Sequence, residues 1–194
     1  MAIQTFIFIG RSGCGKGTQA ELLRAYLAEK GGRDVYYLET GAEFRKFVKE
    51  DNLSSELSRK IYEDGGLQPS FLAIYLWSKL LIENLKGKEH LIIDGTPRYL
   101  NEARILSTAM NFYGRKPKVL YINVPREFSE ARMRERGRSD DKDENDVKKR
   151  LDWFDADVVP AIDYMRDDKT FEFIEIKGDQ AIKDVHKEIL EKAL

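Results

Sequence analysis

The chain has 194 residues, of which 42% are hydrophobic and 35% are charged, and its net charge at pH 7 is −1. This length suits one domain with a sizeable core, and the near-neutral charge excludes a general electrostatic attraction to nucleic acid or to an anionic membrane. One cysteine cannot form an internal disulfide and no apolar run approaches a membrane span, so we expect a cytoplasmic protein without nucleic-acid or membrane partners.

Short apolar runs alternate with longer stretches of helical pattern along the chain. The predicted strands cover residues 5–9, 35–38, 91–93, 119–124 and 171–176. The predicted helices cover residues 17–30, 42–50, 54–64, 70–85, 101–112, 126–136, 144–165 and 179–194. Strands that are apolar at nearly every position indicate a parallel sheet covered on both faces, so the alternation predicts a doubly wound α/β fold. The helical aromatic residues expected in the core are Trp77, Trp153 and Tyr164.

Three of the predicted helices lie between the second and third strands, which is more than one crossover connection requires. We therefore expect part of this insert, at about residues 40–69, to form a helical lobe over the sheet. The chain is almost wholly polar after Arg136, and residues 136–142 are expected to form a short flap, or lid. The core of this single domain is expected to comprise residues 1–39, 70–135 and 143–194.

Residues 10–18 read Gly-Arg-Ser-Gly-Cys-Gly-Lys-Gly-Thr and stand between the first predicted strand and the first predicted helix. A glycine-rich loop in this context binds phosphate, because glycine lets backbone N–H groups point inwards at the oxygens. The helix N-terminus adds its dipole, Lys16 supplies a charge for the β- and γ-phosphates, and Thr18 offers an oxygen to Mg²⁺. The pattern predicts an ATP site, although Gly17 separates the lysine from the hydroxyl residue.

Two charged residues follow the third predicted strand. Asp94 stands at the end of that strand, where an acid can orient the water ligands of Mg²⁺, and Arg98 lies four residues further on. An arginine can bind a phosphate group through two parallel hydrogen bonds, which a lysine cannot do as well. The pair therefore predicts a second phosphate site beside the first.

Four arginines surround the polar flap: Arg132, Arg136, Arg138 and Arg150. The first two are four residues apart and project from one helical face. A plain alternative is a solvated basic face beside the acidic residues 140–146. In phosphoryl transfer, however, positioned arginines stabilise the charge that spreads over the γ-phosphate oxygens, and a closing flap excludes water. The flap has neither cysteine nor histidine, so no zinc site is expected.

Five motifs stand in an order that resembles the adenylate kinases of the nucleoside monophosphate kinase family over nearly the whole chain. They are Gly-Lys-Gly-Thr at 15–18, Thr-Gly-Ala-Glu-Phe-Arg at 40–45, Gly-Gly-Leu-Gln-Pro at 65–69, Asp-Gly-Thr-Pro-Arg at 94–98 and Arg-Ser-Asp-Asp at 138–141. The resemblance implies a five-stranded parallel-sheet P-loop fold with a nucleotide-binding lobe and a short lid. It also implies a monomer that transfers a phosphoryl group reversibly from Mg-ATP to AMP, giving two ADP.

By this resemblance, each nucleotide has its own set of binding residues. Those expected to bind ATP are Gly13, Cys14, Gly15, Lys16, Gly17, Thr18, Arg132, Arg136 and Gln180. Those expected to bind the monophosphate are Thr40, Arg45, Gly66, Leu67, Gln68, Gly95, Thr96, Pro97, Arg98, Glu102, Arg138 and Arg150. Those expected to act in transfer are Lys16, Arg98, Arg136, Arg138 and Arg150. Mg²⁺ would be held, through water, by Thr18 and Asp94.

The chain departs from the family pattern at several of these positions. Thr96 replaces a phenylalanine, and an extra residue in the lid exit makes Lys149 a rival of Arg150 for the last arginine's role. Glu102 stands where the family has a glutamine that reads adenine, and a carboxylate can only accept hydrogen bonds. A guanine edge offers two donors, while a shift of one register would place Asn101 at the base. AMP is the expected acceptor, with GMP, UMP and CMP as alternatives.

Two other classes of function fit part of the pattern. One is a P-loop kinase for a small metabolite, against which the motif at 40–45 and the long helical insert argue. The other is a non-catalytic nucleotide-binding module, which is indicated by the departures from the family pattern at Thr96, Glu102 and the short lid. The retained lysine, arginines and aspartate favour an enzyme over this module.

Overall fold

The computed structural model describes residues 2–136 and 144–194, and its strands are five short segments of these ranges. They are β1 Thr5–Ile9, β2 Val35–Glu39, β3 His90–Asp94, β4 Lys118–Asn123 and β5 Glu172–Lys177. Every neighbouring pair is parallel, and the order across the sheet is β2-β3-β1-β4-β5. The predicted five-stranded parallel sheet is confirmed.

The helices of the described ranges connect these strands. They are α1 Lys16–Gly31, α2 Thr40–Phe47, α3 Leu53–Glu63, α4 Ser70–Asn84, α5 Leu100–Phe112, α6 Arg126–Arg136, α7 Glu144–Trp153, α8 Val159–Asp167 and α9 Ile182–Ala193. A π-helical turn, Phe154–Val158, separates α7 from α8. None of the helices in residues 2–136 and 144–194 has the length and apolar character needed to cross a membrane.

The central strand β1 is buried along its whole length, and its side chains alternate between two hydrophobic clusters. Phe6 and Phe8 pack with α1 and α9 on one face of the sheet. Ile7 and Ile9 pack with α4, α5 and α8 on the other face. Burial on both faces explains why the strand sequence is apolar at every position except its first, Thr5.

The predicted helical stretch at residues 144–165 is helical throughout, but it is not a single α-helix. The segment winds as α7, widens into the π turn Phe154–Val158 and continues as α8. Pro160 lies in the first turn of α8 and has no N–H to donate to the turn before it, which interrupts the α-helical ladder there. The wider turn sets the directions of the side chains on either side of it.

Helices α2 and α3 lie between β2 and α4, and a small apolar cluster attaches α2 to the start of α4. The C-terminal end of α3 also meets α7. Lys149 donates from Nζ to the carbonyl oxygen of Asp64 over 3.0 Å. A Cβ atom added at Gly65 would lie 3.0 Å from Asp146 Oδ1, so the side chain of Asp146 packs closely against the backbone of Gly65. Helix α7 therefore supports the segment between α3 and α4.

Candidate active site

A cleft of about 680 Å³ opens at the carboxyl ends of β1, β2 and β3. Strands β2 and β3 lie on one side of β1 and strands β4 and β5 on the other, and parallel sheets bind ligands at the point where the strand order reverses in this way. The predicted site residues that line the cleft are Gly13, Gly15, Lys16, Gly17, Thr18, Arg45, Gly66, Gln68, Asp94, Gly95, Arg98, Arg132, Arg136 and Arg150. The fold thus brings the glycine-rich loop and five arginines from four separate segments to one cavity.

The loop between β1 and α1 takes a backbone shape that depends on glycine. Gly13 and Gly15 have φ values of +85° and +97°, a region that other residues rarely adopt. A Cβ atom at Gly13 would lie 2.8 Å from the carbonyl oxygen of Ser129, so the loop also packs directly against α6. Helix α1 then begins at Lys16, and its first N–H groups and its dipole favour an anion at this end.

The side chain of Lys16 lies back along the same loop. Its Nζ donates to the carbonyl oxygens of Gly10 and Arg11 over 2.7 and 2.9 Å. Both acceptors are neutral, so the lysine keeps its charge within the cleft. That charge is available to a phosphate group held by the backbone of the loop.

Asp94 is buried at the end of β3, beside the first turn of α1. Its Oδ2 accepts a hydrogen bond from the hydroxyl of Tyr37 over 3.1 Å. Burial raises the pKa of Asp94, whereas the charge of Lys16, the Tyr37 hydroxyl and the charge of Arg98 act to lower it. A Cβ atom at Gly17 would come 3.6 Å from Oδ2, so the aspartate and the start of α1 are in contact.

The donors around Asp94 fit a magnesium ion better than a transition metal. Thr18 and Asp94 both line the cleft and offer a hydroxyl and a carboxylate oxygen, which Mg²⁺ prefers. Within the described ranges, no three His, Cys, Asp or Glu side chains cluster to hold a metal by themselves. Mg²⁺ keeps several waters and takes substrate phosphates as ligands, so two protein oxygens are a suitable set.

Two arginines form the wall opposite the glycine-rich loop. Arg45 Nη2 lies 2.6 Å from Glu39 Oε1, which fixes the arginine at the end of β2. Arg98 donates from Nε to the carbonyl oxygen of Gly95 over 2.8 Å, and its Cζ lies 5.6 Å from the centre of the Trp153 ring. Both guanidinium groups are therefore held in place before any ligand arrives.

Glu102 does not line this cleft, although the sequence singled it out as a reader of the base. The residue is 1% exposed and lies beneath the loop that carries Arg98. Its Oε2 accepts from the backbone N–H of Arg98 over 3.2 Å and from Thr96 Oγ1 over 3.4 Å. Burial raises the pKa of Glu102 to about 7, against the lowering effect of these hydrogen bonds and of the Arg98 charge.

Several other predicted site residues of the described ranges also lie outside the cleft wall: Cys14, Thr40, Leu67, Thr96, Pro97 and Gln180. Gln180 donates from Nε2 to the carbonyl oxygen of Lys177 over 2.8 Å and to Glu188 Oε2 over 2.7 Å. Gln68 reaches the cleft, but both ends of its amide are hydrogen-bonded to Ser58.

Arg138 and lid residues 137–142 lie outside the described residues. Of the two candidates for the last arginine's role, Arg150 lines the cleft, whereas Lys149 donates a hydrogen bond to the carbonyl oxygen of Asp64 at the end of α3.

The structure adds cleft residues that the sequence reasoning did not assign to the site: Ser12, Glu21, Tyr37, Glu39, Phe44, Tyr62, Glu135 and Trp153. Tyr37 and Glu39 could have been found, because they end the second predicted strand and parallel strands end together at one edge. Trp153 follows Arg150 by three residues on α7 and therefore shares its face. Phe44 and Tyr62 reach the cleft through the way in which the helices between β2 and β3 fold over the sheet, whereas Ser12, Glu21 and Glu135 lie close in sequence to predicted site residues.

The sequence model of the adenylate kinase family matches residues 8–170. An adenylate kinase of Prochlorococcus marinus is 33% identical over 187 residues, which cover 96% of each chain. Adenylate kinase 1 of a Nostoc species is 30% identical over 184 residues, 94% of this chain and 95% of that one. An adenylate kinase of Porphyromonas gingivalis is 33% identical over 164 residues, 81% and 80% of the two chains.

Proposed function

The chain belongs to the adenylate kinase family, and we propose that its cleft is the site at which Mg-ATP and AMP exchange a phosphoryl group reversibly to give two ADP. The observation that carries this proposal is a single cavity with a phosphate-binding loop on one wall and three arginines from separate segments, Arg45, Arg98 and Arg150, on the others. Two anionic nucleotides need such a pair of facing cationic walls, whereas one nucleotide does not.

Each wall has its proposed role in transfer. The loop N–H groups and Lys16 hold the β- and γ-phosphates of ATP, while Arg45 and Arg98 hold the phosphate of AMP. Arg132, Arg136 and Arg150 lie at the side of the cleft between them and stabilise the charge of the group in transit. No side chain acts as a nucleophile, because the phosphate oxygen of AMP attacks in line. The chain's contribution is position, charge and the exclusion of water.

Mg²⁺ is the metal that this site suits, with Thr18 and Asp94 holding its water ligands. An ion held there would neutralise part of the charge of the phosphate groups. We further propose that residues 40–69 act as the AMP-binding lobe, that residues 136–142 act as the lid, and that the protein works as a cytoplasmic monomer. The surroundings of Glu102 support AMP over GMP as the acceptor, because the carboxylate is engaged beneath the loop rather than offered to a base.

Formation of ADP from Mg-ATP with AMP, GMP, UMP, CMP and dTMP in parallel tests the proposal. We expect turnover to be greatest with AMP, and greatest turnover with GMP would overturn the assignment of the acceptor. The variant Lys16→Ala should lose at least about 1,000-fold in kcat, since its charge is needed in the transition state. Lys30→Ala, at the far end of α1, is the matched control and should leave turnover unchanged.

A further inference from the structure

Trp153 lines the cleft, but the phosphoryl transfer proposed above gives it no role. It is the last residue of α7 and lines the cleft together with Arg98 and Arg150. Its ring is half-buried and packs against the hydrophobic cluster on the α5 and α8 side of the sheet. Its Nε1 is buried and has no hydrogen-bond partner among the described residues. The position of this large aromatic ring, between the core and two arginines, calls for a functional explanation.

The contact with Arg98 indicates that function. The guanidinium carbon lies 5.6 Å from the centre of the Trp153 ring, within the range of a cation–π interaction. The Nε edge of the same guanidinium donates to the carbonyl oxygen of Gly95 over 2.8 Å. One contact fixes an edge of the planar group and the other fixes its position beside the ring. Together they determine where the remaining N–H groups point.

The ring itself rests on a firm support, because the chain after it is attached to the opposite wall of the cleft. The π turn begins at the next residue, Phe154, whose ring lies 4.5 Å below the guanidinium carbon of Arg11. Asp155 then bonds to Arg11 in the glycine-rich loop and to Arg126 at the start of α6. Insertion of a π turn often marks a functional segment, and here it turns one aromatic residue to the cleft and the next to the core.

We propose that Trp153 is a positioning residue for AMP, which holds the Arg98 guanidinium so that its fork meets the AMP phosphate. This proposal rests on the proposed function, in which Arg98 binds that phosphate. Trp153 makes no bond to the reacting atoms, so its effect should fall on the affinity for AMP rather than on the affinity for ATP. The anchoring by Asp155 links the segment to the ATP side, whereas the ring itself lies against Arg98, the arginine of the AMP side.

Steady-state kinetics of Trp153→Leu and Trp153→Phe test the proposal. The leucine variant should raise KM for AMP by about 3-fold to 30-fold, the range that a cation–π contact supports, with KM for ATP within about 2-fold. Phenylalanine keeps a ring and should restore much of the lost affinity. Phe173→Leu is the matched control. Phe173 lies on β5, outside the cleft, and the centre of its ring is 4.6 Å from Arg166 Cζ. Equal increases in both KM values, or an unchanged KM for AMP, would overturn the proposal.

Tryptophan fluorescence gives a second measurement that needs no destabilised variant. AMP should change the emission of the unmodified protein, and the change should be lost in Trp153→Phe, whose remaining tryptophan, Trp77, is fully buried. If the protein turns over AMP without this change, the proposal is wrong while the proposed function stands. If it does not turn over AMP at all, the proposed function fails instead. If Trp153→Leu does not fold, the KM for AMP of Trp153→Phe and the change in emission on adding AMP test the proposal instead.

Discussion

The hydroxyl of Tyr37 donates a hydrogen bond to Asp94 Oδ2 over 3.1 Å, so a residue of β2 orients the carboxylate at the end of its neighbour β3. Burial disfavours the ionised form of Asp94, and a donor on the carboxylate favours it. Burial and the nearby Asp94 charge also raise the pKa of Tyr37, so the hydroxyl remains a donor throughout the ordinary range of pH. The hydrogen bond from Tyr37 therefore opposes the effect of burial and favours the charged form of Asp94.

Tyr37→Phe should move the acidic limb of the pH–activity profile to higher pH. Loss of the donor removes an interaction that lowers the pKa of Asp94, so burial acts with less opposition. Turnover should fall at acidic pH and change little at alkaline pH. Tyr36→Phe is the control, because the Tyr36 hydroxyl donates to the carbonyl oxygen of Leu80, away from Asp94. Identical profiles for Tyr37→Phe and the unmodified protein would contradict the role given to Tyr37.

Gly13→Ala should destabilise the protein by about 2 kcal/mol or more, measured by urea unfolding. The position has φ +85°, which costs other residues about 1–2 kcal/mol, and the new methyl group would meet Ser129. At Gly32 the backbone is also left-handed, with φ +59°, but no other group lies within 4 Å of an added Cβ. Gly32→Ala should therefore show only the smaller, conformational part of the loss. Equal losses would mean that the contact with α6 is relaxed easily.

Arg150→Met and Lys149→Met should separate the two candidates for the last lid cation. Arg150 lines the cleft and its loss should lower kcat by about 100-fold or more, since it removes charge stabilisation. Lys149 bonds to the carbonyl oxygen of Asp64, and its loss should lower kcat by less than about 10-fold. Coupled assays at saturating ATP and AMP make the comparison. The reverse order would assign the role to Lys149.

Glu102→Gln should stabilise the protein at neutral and alkaline pH. The folded protein retains the Glu102 proton up to a pKa of about 7, whereas the unfolded chain releases it near the ordinary value of 4.5. The free energy of unfolding therefore falls as pH rises through this interval, and the glutamine variant avoids that fall. The advantage should be absent below pH 4 and should reach, at most, about 3 kcal/mol above pH 7.

Urea unfolding of Glu102→Gln from pH 4 to pH 8 measures this difference, with the exposed Glu172→Gln as control. Glutamine keeps an acceptor oxygen for the backbone N–H of Arg98, so the loop above it should hold its shape. A constant difference between variant and unmodified protein across the range would show that Glu102 does not titrate between the two values.

The parts of the site that the sequence predicted well are those whose geometry is local. The loop at residues 10–18 depends on its own glycines and on the strand and helix at its ends, all of which are contiguous. Asp94 and Arg98 are similarly fixed by the end of one strand. Their meeting in one cleft follows from the parallel sheet, which the alternation of strands and helices had already indicated.

Other features depend on packing between distant segments and were not predictable from spacing. Glu102 has the spacing of a base reader, but its side chain turns beneath the loop because Thr96 and the N–H of Arg98 offer donors there. Trp153 was expected in the core, but its half-buried ring packs against the core and also lines the cleft, just before the π turn. Neither donor geometry nor a π turn leaves a periodic signal in a sequence.

The imbalance of charge in the cleft has a consequence for the rate at which nucleotides arrive. Among the described residues, six cationic side chains line the cleft and only four carboxylates accompany them. The chain as a whole is slightly acidic, with a net charge of −1. The lining of the cleft therefore has a formal excess of positive charge, which favours the approach of anions to it over the rest of the surface. Added salt screens this guidance over about 10 Å, so it should slow association far more than it speeds dissociation.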